Sequence, residues 1–272
     1  MKRFFVVLLL ALSCVYAQAQ SQDCASLMRR ALEVTDFNQS IDDAVEQLNL
    51  ESFLQQVSGG GSTDATFMKV FLPIMQKHFN AQALKKDLED RMIAHCNPQQ
   101  MEFTLQHLQS PVVVQMTRLD AEARTPEGKQ KLQRYMRAIK VAPPSDTRMS
   151  QIQAFDERVG VTAFALDAMI ATTRGLMTGM GAPAEVLSEL NSSLARYKFQ
   201  IQSTMLLALS SAYRSVGAAD LDAFAKELTS QPLKGFYDQA RKAFVVMIES
   251  RCTEIGKDMK AAMEANQKQG GL

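Results

Sequence analysis

Three histidines, His78, His95 and His107, are the first residues to weigh for chemistry. Imidazole is both a common metal ligand and the usual general base near neutral pH. Cys96 stands beside His95, and helical bundles can assemble metal centres from side chains on separate helices. The spacing argues against one. No His-x-x-x-His or Glu-x-x-His pair places two ligands on one helix face, so each histidine reads as solvated near a helix end. Ser110 and Ser230 lack a Gly-x-Ser-x-Gly elbow, and the second half of the chain contains no histidine. Both serines read as helix caps. "SGGGST", 58–63, has no lysine and follows no strand, so it is a linker rather than a phosphate loop. The methionines are spread along the helices, with Met177 and Met180 as a close pair. That spread describes flexible core filler better than a thioether copper site. The acidic pairs Asp42-Asp43 and Glu89-Asp90 fall on polar helix faces. The expected inventory is therefore no catalytic, cofactor-binding or metal residue.

The elements around these residues read as helices. Long alternating Val/Ile/Thr runs are missing, while Ala, Leu, Gln and Met dominate. Leu27, Met28, Ala31 and Leu32 predict a first short helix. Ile41, Val45 and Leu48 continue the helical spacing before "SGGGST". Pro73 is expected to bend the following helix or mark a boundary. Leu84, Leu88, Met92 and Ile93 form one apolar stripe behind Asn80. Asn97-Pro98 and Thr125-Pro126 are cap-and-start pairs. "VAPPSD", 141–146, is the best linker between halves. In the second half Ala171, Gly175 and Gly179 recur every four residues, which suits close helix packing in a bundle. One helix is expected from Pro183 to about Val216, a short one follows, and Pro232 opens the last.

The ends and the composition bound the setting. Lys2 and Arg3, an apolar run from Phe4 to Leu12, and Ala17-Gln18-Ala19 make a secretory signal, with cleavage expected after Ala19 or, second, after Ala17. Cys14 offers a minor lipoprotein alternative. Cleavage leaves 28 basic residues against 29 acidic ones, without a basic stripe for nucleic acid. The expectation is export, into the periplasm of a Gram-negative cell, with no transmembrane segment. Cys24, Cys96 and Cys252 remain in the mature chain. Three is odd, an oxidising compartment permits a bridge, and Cys24 with Cys96 brackets the first half. That pairing is favoured, although sequence alone does not settle connectivity.

A shift of 120 residues partly superimposes the halves. Phe79 falls on Phe199, Ile93 on Tyr213, Met101 on Leu221, Leu108 on Leu228 and Ser110 on Ser230; Pro111 meets Pro232 after one inserted residue. The order of breakers repeats as well as the apolar positions. "FTLQHLQSPVVVQM" and "LDAFAKELTSQPLKGFYDQA" resemble the C-terminal signature of a bacterial exported helical family, catalogued as domain of unknown function 2059. The resemblance covers about 60 residues per half. Val113 stands where the family prefers glycine, and Gln231 separates serine from proline in the second copy. It implies an exported all-α fold and carries no activity with it.

The sequence thus predicts an all-α helical bundle of two related multi-helix units, 20–142 and 143–272, after a signal peptide at 1–19. Ser110, Pro111, Ser230 and Pro232 are its structural helix corners. The expected role is non-enzymatic binding or interaction in the cell envelope. The partner is an envelope protein or, alternatively, a small apolar ligand such as a lipid. A hydrolytic enzyme ranks last.

Overall fold

The computed structural model describes residues 24–35, 37–47, 65–195 and 198–269. The signal segment, Cys14, Leu48 and the "SGGGST" linker lie outside these residues. Every regular element among them is a helix. The first group comprises α1 (24–34), α2 (Phe37–Gln47), α3 (Ala65–His78), α4 (Ala81–Ile93), α5 (Pro98–Leu108), α6 (Pro111–Arg124) and α7 (Pro126–Ala138). The second comprises α8 (Asp146–Val159), α9 (Val161–Gly179), α10 (Ala184–Ala195), α11 (Lys198–Ala212), α12 (Ala218–Leu228) and α13 (Gln231–Gln269).

Local chemistry accounts for most boundaries. Asn80, Asn97, Thr125 and Ser145 accept hydrogen bonds from the backbone N–H groups of Ala83, Gln100, Gly128 and Arg148 respectively. Pro98, Pro111 and Pro126 occupy first-turn positions, where a missing N–H costs little. Gly160 ends α8 with φ 78°, a left-handed conformation that glycine adopts without strain. Of the two outcomes expected at Pro73, a bend or a boundary, the boundary is not found: α3 continues through the proline, which faces solvent. Between Pro183 and Val216 the described residues form α10 and α11, and 196–197 between them lie outside the described residues.

The two groups share one apolar core. Met28, Leu32, Leu88, Met92, Leu108 and Met116 of the first group join Phe155, Tyr213, Phe224, Leu233, Phe236 and Met247 of the second in one cluster of buried side chains. The element bounds repeat with the 120-residue shift. α5 spans 98–108 and α12 spans 218–228; α6 opens at 111 and α13 at 231. Packing is reciprocal: α5 lies on α13 and α12 lies on α6, so each short helix rests on the long helix of the other group. α4 and α11 follow the same exchange, against α13 and α6. Burial of apolar surface between the groups stabilises them as one body.

The tightest seam joins α9 to α13. A Cβ placed on Gly175 would sit 2.8 Å from Cys252 Cβ and closer still to the Glu249 carbonyl. At Gly179 it would meet the Thr253 carbonyl and, at 2.8 Å, Gly256 Cα; at Gly256 it would meet Leu176 and Gly179 in return. These small residues let the two backbones touch, as the spacing from Ala171 to Gly179 leads one to expect.

Candidate binding groove

The corner between α6 and α7 is where the fold leaves space. Thr125 both accepts from Gly128 N–H at 3.1 Å and donates to the Glu122 carbonyl at 2.8 Å, and Pro126 starts the new helix. Gly128 is buried against the end of α6, with no room for a Cβ beside the carbonyls of Glu122 and Ala123. α7 therefore turns back sharply from α6, and α11 packs against both. The three helices enclose a groove of about 1090 Å³. Leu119, Leu132, Met205, Ala208 and Leu209 are among its apolar wall residues. Arg124, Lys131, Arg134 and Arg214 line it with cations, against the carboxylates of Asp120 and Glu122. Arg214 also lies 5.9 Å over the Tyr135 ring, whose hydroxyl is 2.6 Å from Ser210 Oγ.

A smaller and more polar pocket of about 280 Å³ adjoins the groove. Asp120, Arg124, Val161 and Tyr213 line both spaces. The Tyr213 hydroxyl donates to Asp120 Oδ1 at 2.7 Å. Burial, reinforced by the Asp120 carboxylate, holds that phenol well above its ordinary range, so it stays protonated and donating. Arg241 donates to the Val159 carbonyl at 2.7 Å and stacks 5.7 Å from the Phe164 ring centroid. Burial lowers its pKa, yet a guanidinium remains charged near neutrality. Lys234 pairs with Asp238 one helical turn away, and Arg158 pairs with Asp222 at 3.1 Å. The pocket's four cations, Arg124, Arg158, Lys234 and Arg241, outnumber its two carboxylates, Asp120 and Asp238.

The residues singled out from sequence lie elsewhere. His107 and Glu227, 120 positions apart, meet across the two groups with Nδ1 and Oε1 2.6 Å apart. His78 Nε2 lies 2.8 Å from Asp258 Oδ2, which also accepts from Lys77. Two of the three histidines are thus held by carboxylates rather than simply solvated. The reason is tertiary: α12 and α13 bring acids that sequence distance hides. Neither His107 nor Glu227 lines the groove or the pocket. Among the described residues no group of three or more His, Cys, Asp or Glu is placed to hold a metal ion.

Ser110 and Pro111 stand at the turn from α5 to α6, and Ser230 and Pro232 at the turn from α12 to α13. The expected capping bonds do not form. Ser110 has N-cap backbone angles, but its buried Oγ makes no hydrogen bond. Ser230 Oγ instead donates backwards to the Glu227 carbonyl at 2.6 Å. Pro111 already presets the first turn of α6, so the corner there does not depend on the serine oxygen. Cys24 and Cys96 are joined as a disulfide with Cα atoms 6.0 Å apart, and Cys252 is a buried free thiol. Among the described residues no helix is long and apolar enough to cross a membrane.

The groove residues carried no warning in the sequence beyond helical periodicity. Arg124 and Tyr213 are separated by 89 positions and belong to different groups. Leu132, Tyr135, Met205, Leu209 and Tyr213 fall on the apolar period of their helices and so read as core positions. No family model, curated protein or solved structure matches the chain.

Proposed function

We propose that the protein is an exported, periplasmic, non-enzymatic binding protein of the cell envelope. It is built from a duplicated helical unit related to the family of domain of unknown function 2059. The observation that carries the binding reading is the amphipathic groove between α6, α7 and α11. Its volume is of the order of small-molecule sites, which occupy about 300–1,000 Å³ with apolar walls and a few placed polar groups. Of the two occupants expected from sequence, an envelope protein and a small apolar ligand, the dimensions favour the ligand. The more polar pocket at the groove's edge favours it too, because a small amphipathic molecule can place a polar end there. Export is supported by the signal-like N-terminal residues and by the Cys24–Cys96 bridge, which suits an oxidising compartment. Duplication is supported by the repeated helix bounds and the reciprocal packing.

Binding of the neutral fluorophore N-phenylnaphthylamine tests the groove. The exported chain should enhance its emission, and Ala208→Trp, which fills the groove from α11, should abolish that signal at an unchanged melting temperature. A signal equal in both proteins would refute the groove as the binding surface. Intact mass of chain recovered from the periplasm should correspond to a start at Gln20; recovery of the uncleaved chain from the cytoplasm would refute export.

A further inference from the structure

We infer that the groove and the adjoining pocket form one site for a single-chain fatty carboxylate, with the acyl chain along the groove and the head at Arg124. The inference rests on the binding reading above and adds the chemistry of the ligand. Continuity comes first. Asp120, Arg124, Val161 and Tyr213 border both spaces, so an apolar groove lies directly beside a more polar pocket. That is the shape of an amphiphile rather than of a uniformly apolar molecule.

Charge decides the head group. The whole chain is nearly balanced, at a formal +1, whereas the pocket walls carry four cations and two carboxylates, still an excess of one cation when Asp222, the partner of Arg158, is counted. The excess is therefore local. Arg124 borders both spaces, and a guanidinium can engage a carboxylate through two parallel hydrogen bonds. Lys234 and Arg241 extend the positive field towards the pocket's far side. Asp120 and Asp238 remain in the same walls. Their charge opposes a doubly charged phosphate more than a singly charged carboxylate, so the carboxylate is the better match. Tyr213 keeps its proton and donates a hydrogen bond to Asp120, which offsets part of that acid's charge.

Competition against bound N-phenylnaphthylamine separates the components. Near neutral pH, dodecanoate should displace the fluorophore at about tenfold lower concentration than dodecanol, the margin of one charge-assisted hydrogen-bond pair. Arg124→Gln should remove most of that preference while leaving dodecanol unchanged. Lys234→Gln should reduce it in part; this side chain is half exposed, so the substitution is safe for folding even if Arg124→Gln is not. Equal displacement by dodecanoate and dodecanol, or a preference that survives both substitutions, would overturn the carboxylate assignment and leave the binding reading standing. So would stronger displacement by dodecyl phosphate. A fluorophore that does not bind, or binds Ala208→Trp equally, overturns the binding reading and this inference together.

Discussion

The two long helices that begin 120 residues apart, α6 and α13, start from the same kind of corner and then diverge. α6 stops at Arg124, and Thr125-Pro126 launches α7 in a new direction. At the corresponding point α13 has Val245-Val246 and continues to Gln269. The unbroken helix supplies a continuous surface, and α9 lies along it with Gly175 against Cys252 and Gly179 against Gly256. The broken helix cannot offer that surface. It folds back on itself and leaves the groove that α11 covers only in part. One cap-and-proline pair thus separates the helix that packs along α9 from the helix that borders the groove. The stapling differs as well. The first half ties α1 to the end of α4 through Cys24–Cys96. At the matching end of α11 the second half uses a hydrogen bond from Arg148 to the Tyr213 carbonyl at 2.6 Å.

The contrast can be broken at several points. The largest effect should come from the staple. Cys24→Ser with Cys96→Ser opens a loop with a sequence separation of 72, and chain entropy assigns about 4 kcal/mol to such a closure. Urea unfolding should show that loss; an unchanged midpoint would mean that the first half is as self-sufficient as the second. Next is the seam. Gly179→Val forces a side chain into the Thr253 backbone and should cost about 3 kcal/mol by overpacking, without altering fluorophore binding in the distant groove. If binding fell in step with stability, the seam and the groove would not be separable.

Smaller effects sharpen the corners. Asn97→Ala removes a formed cap and should cost about 1 kcal/mol, whereas Ser110→Ala should cost about zero because its oxygen bonds to nothing. Differential scanning calorimetry of the two variants should show a gap of about 3 °C; equal losses would restore Ser110 as a cap. The smallest effect near neutral pH concerns Cys252. Burial pushes its thiol from 9.0 up to about 11. A thiol pKa raised in the folded state means the unfolded chain ionises first. Stability should therefore be unaffected below pH 9, fall as pH rises from 9 towards 11, and level off above. Cys252→Ala should flatten that part of the profile. The native thiol should also resist thiol reagents at pH 8 until the chain unfolds.

Much of this architecture was legible residue by residue. Asn97-Pro98 and Thr125-Pro126 act within one turn of chain, and the structure has helices starting at both. The stripe of Leu84, Leu88 and Met92 is buried because a helix of that period has only one way to hide it. The partners of His78 and His107 were illegible, since Asp258 and Glu227 lie 180 and 120 positions away. Ser110 misled for the opposite reason: its local pattern was right, and the hydrogen bond is still not made.

The sequence by itself determined that this chain is helical and where most helices begin, because capping, proline geometry and apolar period act over a few neighbouring residues. Tertiary structure alone decided that each short helix rests on the other group's long helix, and that Arg124 and Tyr213 border one space. Those facts depend on how helices far apart in the sequence meet in one core. Burial is non-directional and leaves no mark of its partner in local sequence.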